Sequence, residues 1–360
     1  MIIFLGAGAS RVFGIPTMME FIEVFDKEME ENSLYNEVKN TFSREDFDLE
    51  VLMTILDDLS KDQKELRRTM SPQTSDFLLR KPREEALNYI SNEKVKKTAK
   101  ESLSNLKGVI RRECFVAVQE KVDMILEVYD RFFSLTTKVH PSKYTSGDGN
   151  SKYPSDLKIF TTNYDTCMET YLNRRQITFT QGIVRRYGYN VFDVDSFNDS
   201  NANVGVFKLH GSVDLFRKNR QIRQLSAFRY EKGVTHLGEY FGEELMRYPI
   251  EFGGYQHIIE SPFLDLFRLF RDRIRNDGMW ILVGSSFRDI TICSIMNDVL
   301  RSKRVSEYPK IVFVNPSAQK IIDRLKEWGM LPFAELINKI EAKFNSDECN
   351  TALPSAVSTR

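Results

Sequence analysis

The chain has 360 residues, is 41% hydrophobic and 28% charged, and sets 51 lysines and arginines against 51 acidic residues. That length buries a large core in one big domain or two smaller ones, and the even charge gives no argument for direct nucleic-acid binding or for an anionic membrane as a partner. Cys114, Cys167, Cys293 and Cys349 are far apart and form no CxxC pair, which speaks against a zinc module or a disulfide scaffold, and no apolar run reaches the length of a signal core or a membrane span, so the expected location is cytoplasmic.

In chain order, the first predicted element is a strand, Ile2 to Leu5, that runs into Gly6-Ala7-Gly8-Ala9-Ser10. Gly6 and Gly8 let the backbone turn tightly and approach a pyrophosphate, whose charge meets the amides of the next helix start. A glycine turn without function is the alternative, because position 11 of a GxGxxG fingerprint is Arg11. Gly14-Ile15-Pro16-Thr17 marks a turn, and Met18 to Glu30 carries Met18, Phe21, Ile22 and Phe25 at helical spacing. From about Thr41 to Val139 the pattern becomes all-helical. Phe47, Val51, Leu52, Ile55, Leu56 and Leu59 repeat at helical intervals, Met70 to Pro82 reads as a break, and Glu85 to Thr137 reads as one or two long amphipathic helices. Lys94, Lys96, Lys97, Lys100, Lys107, Arg111 and Arg112 are interleaved with Glu93, Glu101 and Glu113, so they predict a solvated helix face. Residues 141–154 read as a loop that returns the chain to a sheet.

Leu157 to Phe160 then predicts a buried strand that exits into Thr161-Thr162-Asn163-Tyr164-Asp165. A carboxamide and a carboxylate thus stand two residues apart at a strand end, where ligands sit in an open α/β sheet. Cys167 to Arg174 predicts a helix, Ile177 to Val194 short strands or a hairpin, and Asn198 to Asn203 a turn. Val204 to Leu209 predicts a strand that ends in His210-Gly211-Ser212. At that edge an imidazole can take a proton from a sugar hydroxyl or a water, whereas His140, His236 and His257 lack such a setting and are read as structural. Arg217, Lys218, Arg220, Arg223 and Arg229 read as an exposed basic loop. Pro262 to Arg275 is an amphipathic helix leading to the strand Trp280 to Val283, and Gly284-Ser285-Ser286 offers amides and hydroxyls suited to phosphate or ribose. Arg288 and Asp289 open the next helix, and the strand Ile311 to Val314 ends at Asn315. Helices are expected at Ser317 to Trp328 and near Phe333 to Phe344, and residues 346–360 as a disordered tail. Five short strands that each end in small or polar residues predict a single nucleotide-sized crevice.

Taken in order, Gly6-Ala7-Gly8-Ala9-Ser10 with Gly14-Ile15-Pro16, Thr161-Thr162-Asn163-Tyr164-Asp165, Lys208-Leu209-His210-Gly211, Gly284-Ser285-Ser286 and Val314-Asn315 resemble the motif set of the sirtuin (SIR2-like) NAD-binding fold. With Phe287-Arg288-Asp289 they resemble in particular the SIR2-like domains of bacterial anti-phage defence systems. The likeness covers about residues 1–30 and 157–325. It implies an α/β fold with a Rossmann-like parallel sheet of the sirtuin type, an inserted all-helical subdomain and no zinc module. Residues 1–40 and 157–345 would form the NAD-binding domain, and 41–156 the helical insertion with its return loop. By the same likeness Gly6, Ala7, Gly8 and Ser10 hold the pyrophosphate, and Asn163 holds the nicotinamide ribose and positions a water. Asp165 would contact the nicotinamide carboxamide, His210 would be the general base on a ribose hydroxyl or water, Ser285 and Asn315 would lie along the adenosine half, and Gly284 would also be cofactor-binding.

The chain departs from sirtuin deacylases at Thr17-Met18-Met19, where they have Asp-Phe-Arg, although Phe241-Gly242-Glu243 echoes a motif of their acyl-peptide groove. The resemblance therefore implies an NAD hydrolase with NAD as substrate and no metal, acting as a regulated effector of anti-phage defence by NAD depletion. Two other readings keep the fold: an NAD-dependent protein deacylase or ADP-ribosyltransferase, and a non-catalytic NAD or ADP-ribose-binding assembly subunit. Relatives of this type act as homo-oligomers or with a partner such as an ATPase.

Overall fold

Twelve strands are present among the described residues of the computed structural model, which are 1–43, 47–137, 157–186, 189–198, 204–218, 221–224, 243–246 and 261–358. They are β1 (Ile2–Leu5), β2 (Leu157–Thr161), β3 (Phe179–Thr180), β4 (Ile183–Arg186), β5 (Tyr189–Phe192), β6 (Val204–Lys208), β7 (Gly211–Lys218), β8 (Gln221–Gln224), β9 (Glu243–Met246), β10 (Met279–Val283), β11 (Lys310–Val314) and β12 (Ile337–Ile340). His140, His236, His257, the return loop 141–154, the turn 199–203 and residues 241 and 242 of the Phe-Gly-Glu triplet lie outside the described residues.

Seven of these strands make one all-parallel sheet in the order β12-β11-β10-β1-β2-β6-β3. β1 sits at the centre, buried along its whole length, and strand order reverses between it and β10. Such a reversal opens a crevice beyond the carboxyl ends of the strands, since the two flanking connections leave in opposite directions. The parallel register also aligns the side chains of one face. Phe207, Phe160, Phe4, Leu282 and Phe313 occupy matched positions across five adjacent strands. Phe160 and Phe207 stack with ring centroids 4.3 Å apart, and Phe270 of the helix Phe263–Asn276 packs edge-on to Phe160 at 4.9 Å. This aromatic row holds the strand exits at fixed spacing. Burying such rings adds area burial and a further ~0.5–1.5 kcal/mol for each well-placed aromatic pair.

The chain folds into two compact units. One contains Met1–Ile15, Cys114–Met246 and Glu260–Arg360 and holds the parallel sheet; the other, Pro16–Glu113, is helical among its described residues. The helical unit has its own core in Phe21, Phe25, Tyr35, Leu52, Ile55, Leu56, Phe77 and Leu106. The boundary thus falls at Pro16 and Glu113, while the helix Val122–Thr137 lies in the sheet unit.

Four expectations are corrected. The supposed break at Met70 to Pro82 contains the helix Pro72–Leu79, which starts because the Ser71 hydroxyl accepts the Thr74 N–H and proline fills a first position that needs no N–H. The final predicted helix stops at Leu336, because Ile337–Ile340 adds to the sheet edge as β12 beside β11. Arg217 and Lys218 are strand residues of β7, paired with β8, and not part of a basic loop; positions 219, 220 and 225–242 are outside the described residues. Residues 347–358 of the expected disordered tail form the helix Asp347–Ser358, with Cys349, Leu353 and Ala356 buried at helical spacing on one side.

Candidate active site

The glycine loops after β1 and β10 meet backbone to backbone. Gly6 N–H donates to Val283 O at 2.8 Å and Gly8 N–H to Gly284 O at 2.9 Å. A Cβ on Gly284 would stand 2.2 Å from the Ala9 nitrogen, and one on Gly6 would stand 2.5 Å from the α-carbon of Ser285. Glycine is required here by the approach of the two loops, and the Gly6 and Gly8 amides are spent on that approach. Ala7–Ser10 forms a single helical turn directly after it.

Asn163 stands two residues past the end of β2, and its position is over-determined. Its N–H donates to Thr161 Oγ1 (2.9 Å), and that hydroxyl in turn donates to Leu5 O (2.9 Å). Its Nδ2 donates to Gly6 O (3.0 Å) and to Ser10 Oγ (2.9 Å), and the Ser10 hydroxyl donates in turn to Asp165 Oδ2 at 2.6 Å. Because Gly6 O can only accept, the carboxamide orientation is fixed and Oδ1 is the free end. That oxygen is buried and has no hydrogen-bond partner among the described residues.

Asp165 supports this arrangement. One carboxylate oxygen accepts from Ser10, and the other accepts the Cys167 N–H at 3.0 Å, at the start of the helix Cys167–Arg174. Both oxygens therefore have protein partners. Ser285 and Asn315 serve a similar purpose on the other side of β1. Ser285 Oγ accepts the Phe287 N–H (3.1 Å), while Asn315 donates to Ser285 O (2.9 Å) and accepts from Ser317 N–H (2.8 Å). Side chains singled out in the sequence thus tie the exits of β1 and β2 and those of β10 and β11, and the glycine backbones tie β1 to β10.

β2 and β6 pair through Thr161 and Lys208, and the Leu209 N–H to Thr161 O bond (2.9 Å) continues that pairing. His210 lies two residues past Lys208, as Asn163 lies two past Thr161, so the register brings both to the same edge of adjacent strands. His210 is 2% exposed and Asn163 7%. The Nε2 of His210 is 2.8 Å from Asp289 Oδ2. The sequence offered Asp289 only as a helix opener; its placement in Phe287-Arg288-Asp289, just past a strand exit, was the available signal.

Beneath the edge lies a buried ionic cluster that sequence reasoning missed. Lys208 Nζ bonds Asp165 O and pairs with Glu169 at 3.3 Å, and Gln181 donates to Glu169 Oε1 at 2.6 Å. Burial pushes the Glu169 carboxyl above its ordinary value, and the carboxylates of Asp214 and Asp165 add to the rise while Lys208 opposes it. Burial alone would lower Lys208, but Glu169, Asp165 and Asp214 outweigh it and hold the ammonium charged. One cation is shared among three carboxylates, so Lys208 is strongly held while Glu169 is only partly compensated.

An all-parallel sheet with glycine loops and polar side chains gathered at the carboxyl ends, beside the reversal of strand order, defines a Rossmann-like nucleotide-site domain. Residues 157–333 match the family model described as SIR2-like domain. β1 and its glycine loop precede the matched span, yet β1 lies between β2 and β10 of the same sheet. SIR2-like domains use NAD, which indicates NAD-related activity in general. No curated protein matches the sequence. Among the described residues, no three His, Cys, Asp or Glu side chains gather to hold a metal ion, and no helix is long and apolar enough to cross a membrane.

Proposed function

We propose that the protein is an NAD glycohydrolase that converts NAD and water to ADP-ribose, nicotinamide and a proton. The observation that carries this reading is the buried Oδ1 of Asn163, without a hydrogen-bond partner among the described residues, on a carboxamide that Gly6 and Ser10 hold at the sheet edge that also bears His210. A buried acceptor without a donor costs about 1–3 kcal/mol, and a ribose hydroxyl or a water supplies the missing proton. That is the fit expected for the sugar of NAD.

In the proposed reaction Asn163 holds the nicotinamide ribose and a water beneath its anomeric carbon. The glycosidic C–N bond breaks with its electron pair leaving to the pyridine nitrogen, which cancels the positive charge of the leaving group. Water oxygen bonds to the anomeric carbon, and His210 takes the released proton. Orientation and exclusion of bulk water are the main contributions asked of the protein, and the burial of His210 and Asn163 supports them. Gly6, Ala7, Gly8 and Ser10 would shape the pyrophosphate side, with Gly6 and Gly8 acting by close approach because their amides are engaged. Gly284, Ser285 and Asn315 would form the wall along the rest of the dinucleotide. Asp165 is assigned to positioning Ser10 and the helix Cys167–Arg174 in place of direct contact with nicotinamide. As a regulated effector of anti-phage defence by NAD depletion, such an enzyme would work in the cytoplasm as a homo-oligomer or with a partner such as an ATPase.

The test is chromatography of NAD incubated with each oligomeric fraction of the purified chain, with and without candidate activators. Equal release of nicotinamide and ADP-ribose, independent of any acylated peptide, is expected. Release only in the presence of an acyl-lysine peptide would favour deacylation, and tight NAD binding without turnover in every fraction would favour a sensor or assembly subunit.

A further inference from the structure

The carboxylate of Asp289 is held at both ends. Its Oδ1 accepts the N–H groups of Thr291 (2.8 Å) and Ile292 (3.2 Å), which caps the twelve-residue helix Ile290–Arg301, and its Oδ2 lies 2.8 Å from His210 Nε2. The positive end of that helix favours the anionic carboxylate. An ionised carboxylate has only acceptors, so the imidazole must be the donor in this pair. The neutral ring then carries its proton on Nε2 and leaves the lone pair on Nδ1.

We propose that Asp289 is the positioning residue that fixes the tautomer of His210, making Nδ1 the nitrogen that takes a proton from the substrate sugar or water. Resting on the NAD-hydrolase reading, the proposal adds which atom is the base and what holds it. The same anion balances the imidazolium that forms when Nδ1 is protonated. The chain of dependence runs from helix cap to carboxylate to ring, so the helix Ile290–Arg301 aims the base from outside the sheet edge that carries it.

Asp289→Asn separates this role from helix capping, because asparagine caps helices about as well as aspartate. Its oxygen stays on the Thr291 and Ile292 amides, so its NH2 group faces the ring. Nε2 must then accept, and the proton moves to Nδ1. Long-range 1H–15N correlation spectra of the full chain labelled with 15N-histidine report the protonated nitrogen directly, with His210 identified among the four histidines by its loss in His210→Gln. We expect Nε2–H in the native protein, Nδ1–H in Asp289→Asn, and a mixture in Asp289→Ser, which caps the helix without reaching the ring. The reversed tautomer should lower kcat for NAD by roughly 10²–10⁴, the scale of general-base catalysis and its orientation, with KM little changed.

Nδ1–H in the native protein, an unchanged tautomer in Asp289→Asn, or full kcat with a reversed tautomer would overturn the proposal. The spectra read the ring without turnover, so a protein that holds the Nε2–H tautomer yet never releases nicotinamide would sink the hydrolase reading alone.

Discussion

Asn163 shows how much a single side chain can be made to depend on its neighbours. Its Nδ2 is committed to Gly6 O and Ser10 Oγ, and its buried Oδ1 has no hydrogen-bond partner among the described residues. Asn163→Ala removes both of these hydrogen bonds, although Gly6 O keeps the Ala9 N–H at 2.9 Å, and urea melts should show a loss of about 1–3 kcal/mol. Ser10→Ala removes the link from Asn163 to Asp165, and we expect a smaller loss of about 1 kcal/mol, with turnover reduced because the carboxamide keeps one anchor of two. Asp277 offers a pH-dependent test at the far end of the strands. Burial would raise its carboxyl, but the Met1 ammonium (2.6 Å) and Lys158 (2.9 Å) outweigh it and hold it below its ordinary value of 3.8. A depressed carboxyl contributes stability above the unfolded value, and that contribution fades as pH falls through the folded one. Thermal melts should therefore show Asp277→Asn less stable than the native chain at neutral pH, with the gap closing below pH 3.8.

The elements make the same point through their junctions. Gly284 has a φ of +64° and no room for a Cβ, whereas Gly108, inside the helix Glu93–Arg111, has nothing within 4 Å of that position. Gly284→Ala should cost at least about 2 kcal/mol in a denaturant melt, while Gly108→Ala should stabilise by about 0.5–1 kcal/mol. Lys208→Met would leave Glu169, Asp165 and Asp214 buried around no cation. A loss of about 3–5 kcal/mol is expected, with part of it recovered in Lys208→Met/Glu169→Gln. β1, β2, β6, β10 and β11 were legible in the sequence, because a fully buried parallel strand reads as a short apolar run ending in glycine or polar residues. β3 fell within Ile177 to Val194, read as short strands or a hairpin, but its pairing in the main sheet was not legible, and β12 was read as helix. Phe179-Thr180 is too short to carry a pattern, and Ile337-Asn338-Lys339-Ile340 has helical spacing of its apolar ends, so pairing with a neighbour decided its form. The helix Asp347–Ser358 was hidden by Pro354 and a sparse apolar stripe.

At the scale of the whole molecule, residues of the site come from stretches separated by most of the chain: Gly6, Asn163, His210, Asp289 and Asn315 are assembled by a sheet whose order no local pattern states. The motif residues were legible because each stands at a strand exit, but their mutual bonds were not, since Ser10 and Asp165 are 155 residues apart and His210 and Asp289 are 79 apart. The division into units was legible only in part. Helical periodicity marks the segment but not the boundary at Pro16, because the turn Gly14-Ile15-Pro16 punctuates the chain without saying which side its neighbours pack on. What the sheet brings together is a fixed carboxamide and an imidazole at one edge. The account therefore stands most directly on steady-state release of nicotinamide from NAD by the native chain, Asn163→Ala and His210→Ala, each checked for folding by circular dichroism. We predict that each substitution lowers kcat by at least about 10², and full activity in both variants would contradict the account.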